Sequence, residues 1–259
     1  MLTQLRSLYA YREMIRCLVQ RDLRSRYQSS MLGFLWTFAS PLLQLGVYTL
    51  IFSHILKAPV PHYALFVFIA LIPWLFFSAS LTGGAGCILQ EKELVRKIWF
   101  PRAVLPAAFV TGSFVNMLLC FLILFAAVLV TGIRLHPGGL LLLPLVMAAE
   151  FLLALGTALL TSSITVYFRD LSHILGIVSM LWMYLTPVMY DITMIPERWR
   201  PFLQLNPMTA LIGCYRDILY SGTLPDAGAL LYAAVQGVAV LLLGWIVFER
   251  LQRRFAEVL

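Results

Sequence analysis

Apolar residues run through this chain in long blocks separated by short polar breaks, and the block lengths predict its elements. Predominantly apolar stretches occupy residues 33–56, 63–81, 104–131, 140–167, 172–190 and 228–248. A helix needs about 20 residues to cross a hydrocarbon core of about 30 Å. Blocks this long overshoot the ~10-residue strands of a membrane barrel. The expected fold is an all-α membrane protein with six transmembrane helices, forming one membrane domain over residues 31–259.

Ahead of the first block, Leu8, Tyr11, Ile15 and Leu18 recur at helical spacing, with Arg12, Arg16 and Gln20 on another face. An N-terminal amphipathic helix within residues 1–30 follows. It can lie in the membrane interface, arginines toward anionic headgroups, or dock on a partner. Arg21, Arg24 and Arg26 close this segment, and Ser29 or Ser30 is placed to cap the next helix.

The breaks between blocks carry the remaining signals. QEKELVRKIWFPR, residues 90–102, places Glu91, Lys92, Glu93, Arg96 and Lys97 on a short amphipathic helix stopped by Pro101. It reads equally as a lever for a partner or as a plain basic anchor. Arg169 and Asp170 sit at the tip of the turn YFRDL, as a contact or simply as a charged tip. Residues 191–227 are largely apolar yet broken by Pro196, Pro201, Pro207 and Pro225. A structureless loop of that length is disfavoured, so two short re-entrant or interfacial helices are expected. There Arg216 and Asp217 form either a local salt pair or part of a polar path.

Charge then sets the orientation. The chain has 259 residues, 61% hydrophobic and 12% charged, with a net charge of +7. So low a charged fraction excludes an ordinary soluble domain. The excess positive charge marks loops on one side of a membrane rather than a nucleic-acid surface. With both termini inside, 14 of the 19 basic residues fall on inner segments, leaving Lys57, Arg134, Arg198, Arg200 and Arg216 outside. Cys17, Cys87, Cys120 and Cys214, like His54, His62, His136 and His173, are scattered, so neither a disulfide framework nor a metal site is expected. No phosphate-binding loop occurs: the glycine run 83–86 lacks the lysine and hydroxyl that phosphate and magnesium require. Those glycines suit close helix packing or a helix end.

Two blocks carry a polar stripe. Gly33, Thr37, Ser40, Gln44 and Tyr48 share one helix face, and so do Ser172, Ser179, Met183, Thr186 and Tyr190, with Trp182 alongside. Such stripes can pack helices together, or line a path on which sugar rings stack and hydroxyls find partners.

These segments together resemble the membrane subunits of bacterial polysaccharide-exporting ABC transporters, the type-2 permeases for O-antigen, capsule or teichoic acid chains. The resemblance rests on RDLRSRYQSSMLGFLWTFASPLLQ (21–44), YTLIFSHIL (48–56), PWLFFSASL (73–81) and YFRDLSHI (167–174). It continues through LTPVMY (185–190), LNP (205–207) and YRDILYSG (215–222), almost end to end. It implies a homodimer in the bacterial inner membrane, paired with two ATPase subunits that hold ATP and magnesium, this chain itself holding no cofactor. It further implies outward movement of a lipid-linked polysaccharide, an interface helix before residue 30 and a coupling helix at 90–102. Residues 191–222 would then be gate helices, with Trp199, Asn206 and Arg216 in the gate region.

Two other functions compete. A drug or small-lipid exporter of the same type shares the architecture. A multi-pass enzyme acting on lipid-linked sugars would need positioned acids or histidines at the membrane face. Asp191, Glu197, Asp217 and Asp226 have no histidine among them, and Glu150, the one acid inside a block, is alone. An intramembrane acid is expected to meet a polar group or a cavity.

Overall fold

A computed structural model of the chain describes residues 9–27, 33–55 and 59–258. Arg6, Leu8, Ser29, Ser30 and Lys57 lie outside the described residues, as does the first part of the predicted interface helix. Among the described residues the structure is helical, without strands. Helix α1 is Arg12–Tyr27 and α2 is Trp36–Thr49, entered through a 3-10 turn at Gly33–Leu35 and continued by a π turn at Leu50–Ile55. There follow α3 (Tyr63–Gln90), the short α4 (Lys92–Lys97), α5 (Val104–Thr131), α6 (Pro137–Thr165) and α7 (Leu171–Leu185). After two 3-10 turns come α8 (Arg200–Gln204) and α9 (Pro207–Arg216), the latter extended by a π turn at Asp217–Ser221. Helix α10 (Ala227–Leu251) and α11 (Phe255–Val258) end the chain.

Among the described residues, five helical segments have the length and composition of membrane spans: Gly33–Ser53, Tyr63–Gln90, Val104–Thr131, Pro137–Thr165 and Ala227–Arg254. The expected fifth block, 172–190, instead gives a helix of 15 residues. At 1.5 Å per residue it reaches about 22 Å, short of a full crossing. Pro187, which has no N–H to continue the ladder, ends it. Conversely α3 runs nine residues beyond its expected end at 81, straight through the glycine run. A Cβ at Gly84 would meet the Ala158 Cβ at 2.9 Å, so this glycine serves helix packing rather than a helix end.

Helix α3 is apolar on every face and forms the centre, 78% of its most apolar 18-residue stretch being buried against 6% for that of the Gly33–Ser53 segment. It packs on α5, α6, α7, α9 and α2, while α1 lies along α5. The most extensive packing joins α6 to α10. There Gly237 faces the Ala149 carbonyl, Gly156 faces the Leu241 backbone, and Gly244 faces the Gly156 carbonyl. Contacts thus advance together along both helices, which run parallel. Tyr167 just past α6 donates its hydroxyl to the Leu251 carbonyl over 2.8 Å, so the C-terminal ends of α6 and α10 lie side by side. At the other end, Gly139 lies against Ile218 and Thr223, just ahead of α10.

Candidate functional site

Where α7 stops, the chain passes through residues 186–190 without regular helix, although Thr186, Val188 and Met189 are buried. Buried backbone outside a helix must find its hydrogen bonds elsewhere. Here side chains supply them. The Val188 and Tyr190 carbonyls accept from the Arg216 guanidinium, over 2.9 Å and 3.4 Å. Between them, the Met189 carbonyl accepts the Tyr63 hydroxyl over 2.7 Å. The guanidinium also lies 3.5 Å from the centre of the Phe66 ring, a cation–π contact at a largely buried site. No carboxylate oxygen lies within 4 Å of it among the described residues, so the local pair with Asp217 that the sequence offered does not form. Asp217 Oδ2 instead accepts the Asp226 N–H over 3.4 Å. Burial, with the neighbouring Asp226 charge, raises the Asp217 carboxyl above its ordinary range. At Asp191 burial also raises, but the Thr193 hydroxyl and N–H, at 2.6 Å and 2.8 Å, outweigh it and leave the carboxyl lowered.

Helix α9 is held at both ends. At its start Asn206 is the N-cap, its Oδ1 accepting from Met208 N–H over 3.0 Å. The same oxygen accepts the Trp182 indole N–H over 3.0 Å, and Asn206 Nδ2 donates to Thr186 Oγ1 over 2.8 Å. The neighbouring Leu205 carbonyl accepts from Tyr232 and Gln236, well inside α10. Near its other end the Tyr215 hydroxyl donates to Glu150 Oε2 over 2.7 Å. Both residues are wholly buried, and Glu150 Oε1 has no further partner. The one acid inside a block therefore meets a polar group, midway along α6.

Trp182, Thr186 and Asn206 thus form one hydrogen-bonded cluster, while the Tyr190 hydroxyl donates to the Tyr184 carbonyl. The α2 stripe lies apart from that cluster. Ser40 and Gln44 are exposed, Thr37 is half-buried with its carbonyl accepting from the Cys120 thiol, and the Tyr48 hydroxyl reaches Met183 of α7. Trp199 is half-exposed, its ring tilted against that of Phe202 with the centroids 5.8 Å apart.

At the opposite end of the bundle α3 ends at Gln90, and residues 91–102 contain helix only over Lys92–Lys97. Lys92, Glu93, Arg96 and Lys97 are exposed, while Val95 and Phe100 anchor the segment in a small core with Trp245, Phe248 and Phe255. Glu91 pairs with Arg21 of α1, and Glu93 with Lys97 over 3.2 Å, which holds the Glu93 carboxyl below its usual range. Trp99 is 85% exposed beside an open groove of about 620 Å³ between this segment and the end of α10. Arg169 and Asp170 are exposed at the tip of their turn. Sequence reasoning missed Tyr63, Phe66 and Tyr215. Tyr63 stands at the edge of an apolar block and Tyr215 next to Arg216, whereas Phe66 carries no signal beyond its apolar ring.

The described helices form a bundle with a buried polar cluster at one end and an exposed charged helix at the other, and several are long and apolar enough to cross a membrane. The chain belongs to the ABC-2 type transporter family, whose profile matches residues 13–220. It is 36% identical to the O-antigen export system permease protein RfbA of Myxococcus xanthus over 259 residues, covering 99% of each chain. It is 30% identical to the RfbA permease of Klebsiella pneumoniae, covering 93% of each. The polysialic acid transport protein KpsM of Escherichia coli is 22% identical over 91% of this chain and 92% of that one.

Proposed function

We propose that this chain is the permease of an ATP-driven type-2 exporter carrying a lipid-linked polysaccharide of the O-antigen class outward across the inner membrane. The observation that carries the proposal is the end-to-end match to an O-antigen export permease at 36% identity. In this reading two copies pair with two ATPase subunits, which bind and hydrolyse ATP with magnesium. The exposed apolar faces of α2 and α7 suit a second copy and lipid.

The parallel course of α6 and α10 supports six crossings. Two parallel spans require one return between them, and only residues 166–226 are available. Helix α7 with the unwound residues 186–191 provides that return. Both termini then lie on the cytosolic side with Lys92–Lys97, where Glu91, Lys92, Glu93, Arg96, Lys97, Arg169 and Asp170 would meet the ATPase. Helices α8 and α9, with Trp199, Asn206 and Arg216, form the outer gate. Thr37, Ser40, Gln44, Tyr48, Trp182, Thr186 and Tyr190 border the substrate path at the dimer axis. Their generic rings and hydroxyls conduct many sugars, since a single hydrogen bond contributes only about 1 kcal/mol net.

The test is complementation of a strain that lacks its own O-antigen permease, with this chain and its ATPase supplied together. Polymer at the cell surface is the expected result. Export of small lipids or drugs with no effect on surface polymer would favour the alternative substrate class.

A further inference from the structure

The three carbonyls at residues 188–190 are satisfied in turn by Arg216, Tyr63 and Arg216 again. They belong to the stretch where α7 has ended and the chain still has to reach Asp191. Both donors come from other elements, Tyr63 from the first turn of α3 and Arg216 from the last of α9. Arg216 is a buried cation held by carbonyl dipoles and the Phe66 face, with the Asp191 charge acting on it from beyond ion-pair distance and its Nε lacking a partner. Buried charges without a counter-charge are costly unless every compensating dipole is in place. Such a group holds firmly in one arrangement and has a strong reason to leave it once one support moves. The Tyr220 hydroxyl, donating to the Pro61 carbonyl over 2.6 Å, ties the same end of α9 to the chain leading into α3.

We propose that Arg216 is the positioning residue of the outer closure: with Tyr63 it clasps residues 188–190 unwound across the outer ends of α3 and α9. This clasp opens and re-forms in each export cycle. The inference rests on the exporter reading for its role in the cycle, but its resting arrangement can be tested apart from it.

Met189 is buried, and its bond to Tyr63 is made by the backbone, so Met189→Cys leaves the clasp intact. The experiment follows labelling of this cysteine by a membrane-impermeant thiol reagent in the full chain with its ATPase. With Arg216 present, labelling is slow at rest and accelerates during ATP turnover. Arg216→Gln removes both forks of the clasp and should raise the resting rate at least about tenfold, the lower range for losing hydrogen bonds from a charged donor. Arg216→Lys keeps the charge but cannot span two carbonyls, and should behave like Arg216→Gln. Should these variants fail to insert, Tyr63→Phe removes a single oxygen and should raise the resting rate to a smaller extent. Resting rates equal to the parent in all inserted variants would overturn the clasp. A parent chain that shows this difference at rest but exports nothing would leave the clasp standing and remove the exporter reading instead.

Discussion

Tyr215 on α9 and Glu150 on α6 are joined by a 2.7 Å hydrogen bond between two wholly buried side chains. Tyr215→Phe leaves the carboxyl group with no protein partner, since Oε1 already has none. An unsatisfied buried polar group costs about 1–3 kcal/mol. The variant should therefore melt earlier in detergent and export less. Glu150→Gln retains an acceptor for the tyrosine hydroxyl and should be milder, and Tyr215→Phe in that background should cost less than in the parent. Thermal unfolding of the four purified proteins checks this.

The close approach of α6 and α10 gives a second expectation. A Cβ at Gly156 would lie 2.5 Å from the Leu241 backbone nitrogen, which cannot move aside as a flexible side chain could. Gly156→Ala should destabilise by about 1–3 kcal/mol through overpacking. Gly213→Ala meets nothing within 4 Å and should be neutral. The fraction of chain surviving heating in detergent compares the two.

Asn206 caps α9 and joins it to Trp182 and Thr186 through the same amide group. Asn206→Ala should cost about 1 kcal/mol for the cap alone, and more for the lost contacts to α7. Because Asn206 and Thr186 share a bond, Asn206→Ala and Thr186→Val should combine less than additively. A double-mutant cycle on thermal stability measures this coupling.

The lowered Asp191 carboxyl makes an acid-side prediction. Its folded value lies below that of an unfolded aspartate, about 3.9. The stability it contributes is therefore present above that pH and lost as pH falls through the folded value. Asp191→Asn should flatten this acid limb, measured as melting temperature between pH 5 and pH 3.

Much of the fold is legible in the block lengths, because in a membrane apolar length alone decides whether a helix crosses. Residues 104–131 are helical with the expected bounds for that reason. Local chemistry overrides length at α7, where Pro187 stops the ladder before the apolar run ends. It does so again at α3, where small residues let a neighbouring helix approach and the ladder continues. The charged platform is legible from its exposed residues, but the Arg21–Glu91 pair is not, since its partners are 70 positions apart. Arg216 stood out as a cation in an apolar segment, yet its partners are backbone carbonyls and a ring, and no residue type in the sequence signals a carbonyl made available by unwinding.

Outward transport of a lipid-linked polysaccharide by this chain with a separate ATPase can be measured in cells. The most direct measurement compares surface and total polymer in intact cells with and without the chain, the ATPase being present throughout. Loss of the chain should abolish surface polymer while lipid-linked polymer accumulates on the cytosolic side. Undiminished surface polymer in cells lacking the chain, with no other permease of this family present, would contradict it.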